Sequence, residues 1–491
     1  MALFNLKPLL SSVIITLSIA SVTSFNVNAY NSQNDKNKLP DIGISGFSVL
    51  SLDKERQIGL AMMRQLRASQ PLIQDPVLIE YINDLGNRLV KNANDVNYAF
   101  EFFLLNNNEL NAFAFFGGHV GVHSGLVTTA DTESELASVL AHEISHVTQR
   151  HLARRLESQS QSQSLTMAAM LSSVLIGLVN PAVGMAALST TMAASQQASI
   201  NYTRGNEKEA DRVGIALLAN SGFDPQGAPS FFRKMSEKYR YASKPPAMLL
   251  THPLPESRIA DARQRAHNYP VRPLPPSLNF ELAKARLKAR YQGDTKSNIA
   301  YFQRLLAKNH YTIKEGAQYG LALSYFEDKQ YDKAQDLLEA LRLTDKNNLF
   351  YVDALTDVYL ANEGNEKALS MLAYLNLLMP NNQVISLNYG NALLSNKQYD
   401  KSAQILQDFL LVNPGNFIAY DILTSLYRQQ GKMGLMHVYK AEVLALLGAY
   451  SKAVDELQTS YAFVDDQPLL QKRIKARILQ FQEQENRLKR L

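Results

Sequence analysis

Three histidines and a glutamate crowd the segment LAHEISHVTQRH at residues 140–151. His142, Glu143 and His146 read as H-E-x-x-H: two imidazoles one helical turn apart can grip one divalent ion, and the carboxylate beside them can move protons. Taking roughly 100° per residue from His142, His146 falls at about 40° and Glu143 at about 100°. Leu136, Leu140, Ile144 and Val147 gather at roughly 120–200°, on the face that would meet a core. The pattern predicts a helix over residues 131–157, opened by a capping box of Thr132 and Glu135. On that unbroken helix His151 lies about 180° from His142 and is expected to pack or face solvent rather than ligate. The longer motif H-E-x-x-H-x-x-G-x-x-H is excluded, because Gln149 and Leu152 stand where its glycine and third histidine would be.

A third ligand must therefore come from another element, and NEKEAD at residues 206–211 offers one. Glu207 and Asp211 share a helical face, so Glu207 can ligate while Asp211 orients a ligand histidine through its free ring N–H. Glu209 points some 200° away and is the weaker choice. A plainer reading is an acidic first turn favoured by the helix dipole; Asp211 falling in step with Glu207, after H-E-x-x-H, argues against it. His142, His146 and Glu207 would leave one position for water, and Glu143 would take that water's proton and pass it to a leaving amine. The expected reaction is peptide-bond hydrolysis with one Zn²⁺ per chain. THPLPESR adds His252 and Arg258 as candidate catalytic groups that stabilise the developing oxyanion. His119 and His123 could form a second metal site, but residues 111–123 read better as an exposed edge strand that holds an extended peptide.

The elements that must position these groups belong to a chain of 491 residues, long enough for two to four domains. Its 50 basic and 45 acidic residues nearly balance, which disfavours nucleic acid as a partner. It has no cysteine, so any metal is held by nitrogen and oxygen. Lys7, an apolar run at residues 9–20 and the small residues before Tyr30 read as a secretory signal at residues 1–29, cleaved after Ala29. Residues 30–47 read as a flexible start. Residues 53–68 and 75–93 have helical periodicity, and residues 98–105 alternate as a strand. Residues 165–194 are uncharged and broken by Asn180 and Pro181. They read as an apolar hairpin over or beside the site, with peripheral membrane contact or insertion as alternatives.

A proline-rich stretch at residues 270–277 marks a boundary, so residues 270–299 read as linker and connecting helix. Beyond it Tyr325, Tyr359, Leu393 and Tyr427 recur at one spacing, as do Ala334, Ala368, Ser402 and Met436. The period is that of a helix–turn–helix tetratricopeptide array, expected over residues 300–491, whose concave face would bind partners. Gly448, Tyr450 and Ala453 repeat the turn pattern out of step.

NAFAFFGG, HEISH, NEKEAD and THPLPESR together resemble the zinc metallopeptidases related to the CAAX prenyl endopeptidase and the HtpX stress protease, over residues 48–266. The resemblance implies a mainly α fold: a gluzincin-type domain of helices and a small sheet at residues 48–269, then the α-helical solenoid. With a signal sequence and repeats, the chain resembles the periplasmic branch of that family. That implies a dual protease and chaperone, which degrades unfolded or misassembled outer-membrane barrel proteins and docks on the barrel-assembly machinery through its repeats. In that branch a histidine matching His252 is thought to regulate access to the zinc. The competing reading is a repeat-based chaperone or scaffold whose peptidase is latent.

Overall fold

The computed structural model describes residues 50–160, 193–241, 246–270, 272 and 274–490. The expected signal sequence, the polar stretch after it and nearly all of residues 165–194 lie outside the described residues. No helix among the described residues is long and apolar enough to cross a membrane.

The chain begins with two capped helices. Ser51 accepts from the Lys54 N–H at the start of α1 (Leu52–Ser69), and Asp75 does the same for Leu78 in α2 (Pro76–Val90), where a proline occupies the first turn. Strands β1 (Glu101–Leu105), β2 (Ala112–Phe115) and β3 (His119–His123) form one sheet in the order β1-β3-β2. β3 is parallel to β1 and antiparallel to β2. The stretch expected to be one edge strand is thus two strands, joined by a turn in which Gly117 and Gly118 take φ of 79° and 84°. His119 and His123 lie on the central strand, and of the two strands only β2 is an edge. One face of the sheet sends Ala112, Val120 and Val122 into the main core, while Phe103, Phe113 and Phe115 join a second core with Ile58, Met62 and Leu156.

Seven helices follow among the described residues: α3 (Ser124–Thr129), α4 (Glu133–Thr148), α5 (His151–Ser160), α6 (Ala193–Asn220), α7 (Gly227–Tyr239), α8 (Ala247–Thr251) and α9 (Glu256–His267). The single helix expected over residues 131–157 is two, because Arg150 adopts left-handed φ of 51°. That conformation costs a non-glycine residue about 1–2 kcal/mol. It is offset by a buried ion pair: Arg150 Nε donates to Glu55 Oε1 at 2.9 Å and Nη2 to the Leu50 carbonyl at 2.7 Å. The Tyr98 hydroxyl secures Glu55 from the other side at 2.5 Å.

Helices α10 (Leu278–Tyr291) and α11 (Thr295–Lys308) lead into the repeats. These pair α12 (Lys314–Glu327) with α13 (Tyr331–Thr344), α14 (Leu349–Ala361) with α15 (Asn365–Leu378), α16 (Gln383–Ser395) with α17 (Tyr399–Val412) and α18 (Phe417–Gln429) with α19 (Met433–Leu446). The turn inside each pair holds one left-handed residue at the repeat period: Lys329, Glu363, Lys397 and Gly431. α20 (Tyr450–Tyr461) follows a left-handed Gly448, the turn found inside each pair, although the period would place a first helix there, so the array loses register after α19. α21 (Pro468–Lys489) closes the array.

The stretch read as a connecting helix is interior. Phe280, Leu282, Ala283 and Leu287 of α10 belong to one core that runs from Ile73 through α4 to Leu393 of α16. Within it Arg286, 1 % exposed, donates from Nε to Asp75 Oδ2 at 2.6 Å, from Nη1 to the Tyr319 hydroxyl at 2.8 Å and from Nη2 to Asp353 Oδ2 at 2.5 Å. One guanidinium thus ties the cap of α2 to α12 and α14. Arg286→Ala would strand two buried carboxylates, and the expected cost is about 3–5 kcal/mol. A thermal melt reads this as a marked fall in the unfolding midpoint of the whole chain.

Candidate metal centre

Helices α4 and α6 lie side by side, and Gly214 sets their distance. A side chain there would meet the backbone of Ala141 and His142 at 3.1–3.2 Å. The close approach lets short carboxylates on α6 reach imidazoles on α4. His142 Nε2 lies 3.0 Å from His146 Nε2 and 3.3 Å from Glu207 Oε2, and His146 Nε2 lies 3.4 Å from Glu207 Oε1. His252, at the end of α8, joins them: its Nδ1 is 3.0 Å from Glu207 Oε1 and 3.4 Å from His142 Nε2. One ligand atom from each of His142, His146, Glu207 and His252 falls within 4.8 Å of the other three, and no other such group occurs among the described residues.

The remaining residues surround this cluster. Asp211 Oδ1 stands 3.0 Å from His142 Nδ1, an ionic contact rather than a well-aligned hydrogen bond. Arg258, 4 % exposed, grips Asp211 with two bonds of 2.7 and 2.8 Å and reaches Glu207 Oε2 at 2.9 Å and the Pro253 carbonyl at 2.7 Å. Its guanidinium is therefore committed to carboxylates. It also lines a small cavity with His142, Met248 and His252. Glu143, 1 % exposed, keeps Oε1 without a hydrogen-bond partner; His252 Nε2 is 3.5 Å away.

His119 and His123 go elsewhere. His119 pairs with Glu101 at 3.1 Å, and the His123 ring is buried without a partner. His151 is not a peripheral histidine. The break at Arg150 turns it back so that its Nδ1 lies 2.8 Å from His146 Nδ1, with Glu209 behind it. Neither glycine nor proline marks that break in the sequence, so helical-wheel reasoning could not find the contact.

The donor set fits a divalent cation. Glu207 and Asp211 share the guanidinium of Arg258 and Glu143 is buried beside His252, so carboxylates outnumber guanidinium groups at this buried site among the described residues. Two ring nitrogens at 3.0 Å also require a hydrogen or a metal between them. In the metal-free chain the proton falls on His142. Burial alone would depress its pKa, but Asp211 and Glu207 raise it to about 10. Burial outweighs Glu207 at His146 and lowers it to about 4, so that ring is already neutral. Burial opposes ionisation of Glu207, yet His252 and His146 hold its pKa well below the usual carboxylate range.

Residues 77–266 match the model of peptidase family M48. The chain belongs to this family and is a metallopeptidase. A protein of Vibrio cholerae serotype O1 is 46% identical over 456 residues, spanning 93% of this chain and 94% of its own length. The beta-barrel assembly-enhancing protease of Yersinia pestis is 41% identical, covering 92% of this chain and 93% of its own. That of Escherichia coli strain K12 is 41% identical over 92% of both chains.

The raised pKa of His142 has a consequence for metal uptake. A group whose folded pKa exceeds its ordinary 6.5 gives the metal-free fold stability that is complete below about pH 6.5 and is lost as pH rises through about 10. A divalent ion must displace that proton. Zn²⁺ affinity is therefore expected to rise with pH from neutrality toward 10, by about tenfold per pH unit for the His142 proton alone, with at least one proton released per ion. Calorimetry in buffers of different ionisation enthalpy counts that proton.

Proposed function

We propose that His142, His146 and Glu207 hold one zinc ion and that Glu143 is the general base of a peptide-bond hydrolase. The observation that carries this reading is the unpartnered, buried Glu143 Oε1 beside a cluster of three imidazoles and a carboxylate. Zinc bound there would acidify water and polarise the scissile carbonyl. Glu143 accepts the water's proton and returns it to the leaving amine. Asp211 and Arg258 hold the ligands in place from behind, and the free edge of β2, which packs beside α4, aligns the peptide.

His252 stands where water or a carbonyl would approach, and we infer that it is the fourth donor of a closed resting state. That closure is the observation behind a second reading, in which the chain acts first as a repeat-based chaperone with a latent peptidase. The names of the Yersinia and Escherichia relatives support substrates among unfolded or misassembled outer-membrane barrel proteins. In this reading the chain works in the periplasm after cleavage behind Ala29. Residues 48–269 cut, and residues 300–491 meet clients and the barrel-assembly machinery.

Incubating an unfolded protein with the wild-type chain and with Glu143→Gln tests the chemistry. The variant is expected to bind zinc normally and to cleave at least ~100-fold more slowly, on the scale of the loss when a proton-transfer group is removed; equal cleavage by both would end the assignment. His252→Ala should move the other way, cutting faster than wild type. Slower cutting would mean that His252 serves the reaction and does not cover the site.

A further inference from the structure

Behind His146 runs a file of polar groups that the reaction leaves unused. His151 Nδ1 lies 2.8 Å from His146 Nδ1, and His151 Nε2 lies 3.0 Å from Glu209 Oε2. Arg154 Nη2 donates to the same carboxylate oxygen at 2.6 Å. The ring of His151 is only 4 % exposed, so water does not complete its bonding.

The hydrogens in this file can be placed by elimination. A carboxylate only accepts, so the hydrogen between His151 and Glu209 sits on His151 Nε2. A metal held by His146 Nε2 puts that ring's remaining hydrogen on Nδ1. The two Nδ1 atoms at 2.8 Å can then bond only if His151 presents a bare lone pair. The arrangement is self-consistent: Glu209 accepts from His151, and His151 accepts from His146.

We propose that His151 and Glu209 are positioning residues, which lock His146 in the tautomer whose Nε2 faces the metal and fix the plane of its ring. The proposal rests on the reading of His146 as a ligand. Each of the three carboxylates of NEKEAD then has its own place in the site. Glu207 stands among the donors, Asp211 braces His142 directly, and Glu209 braces His146 through an intervening imidazole. The left-handed turn at Arg150 is what makes the last connection, since an unbroken helix would carry His151 about 140° around from His146.

Zinc affinity of the full chain, measured by competition with a fluorescent chelator, tests this. Asparagine places an acceptor oxygen near the site of Nδ1, whereas glutamine reaches toward the site of Nε2. His151→Asn is expected to stay near the wild-type affinity, and His151→Gln and His151→Leu to weaken it roughly 10- to 100-fold. The metal-free melting temperatures of the Asn and Gln variants should agree, so that a difference in affinity reports on the ligand. If the Leu variant fails to fold, the Asn and Gln pair decides. Equal affinity for Asn and Gln overturns the proposal, whether both match wild type or both fall. His146→Ala serves as the control. If it binds zinc like wild type, the ligand reading itself has failed. If it loses zinc while Gln and Leu at 151 do not, only the positioning role has.

Discussion

The contact between α4 and α6 at Gly214 is the constraint on which the rest of the site depends. With a backbone approach this close, Glu207 and Asp211 need no long or mobile side chain to meet His142 and His146. The cluster is held in place by the packing of two helices. The helix pair in turn is held by α7 and α9, which pack on it and each other and carry Arg258 to the far side of both carboxylates.

The site is built from charge that the protein alone does not balance. Burial and unpaired carboxylates would ordinarily oppose folding, and Arg258 offsets only part of the excess. In the metal-free chain a proton on His142 makes up some of the difference. A buried centre poised this way favours a divalent cation over a monovalent one and exchanges protons for metal. At His252 burial lowers the pKa, and the neighbouring Glu207 and Glu143 carboxylates raise it above the ordinary value.

Much of this was legible in the residues. Periodicity placed His142 and His146 on one face of a helix, and the spacing of Glu207 and Asp211 gave each a separate role. The repeat period located the paired helices, and the out-of-step turn at Gly448 marks where that period ends. What could not be read depended on contacts between distant segments. The break after Thr148 arises because Glu55 and the Leu50 carbonyl hold Arg150 in a left-handed turn, and nothing near Arg150 in sequence announces it. For the same reason the partners of Arg258 could not be read: its basic character is visible in sequence, but the carboxylates that hold it come from another helix. Proline-rich composition at residues 270–277 suggested a linker, yet the helix after it is buried on the repeats and on α2 alike.

That shared interior changes what kind of object the chain is. Arg286 and the core around α10 make the metallopeptidase part and the first repeats one packed unit rather than two bodies joined by a linker. A gene cut anywhere between the helix at Pro76 and the one ending at Ser395 yields fragments with raw apolar faces rather than modules. The repeats of this chain cannot be exchanged wholesale for those of another array. The helices beyond α16 pack in apolar clusters other than that shared core.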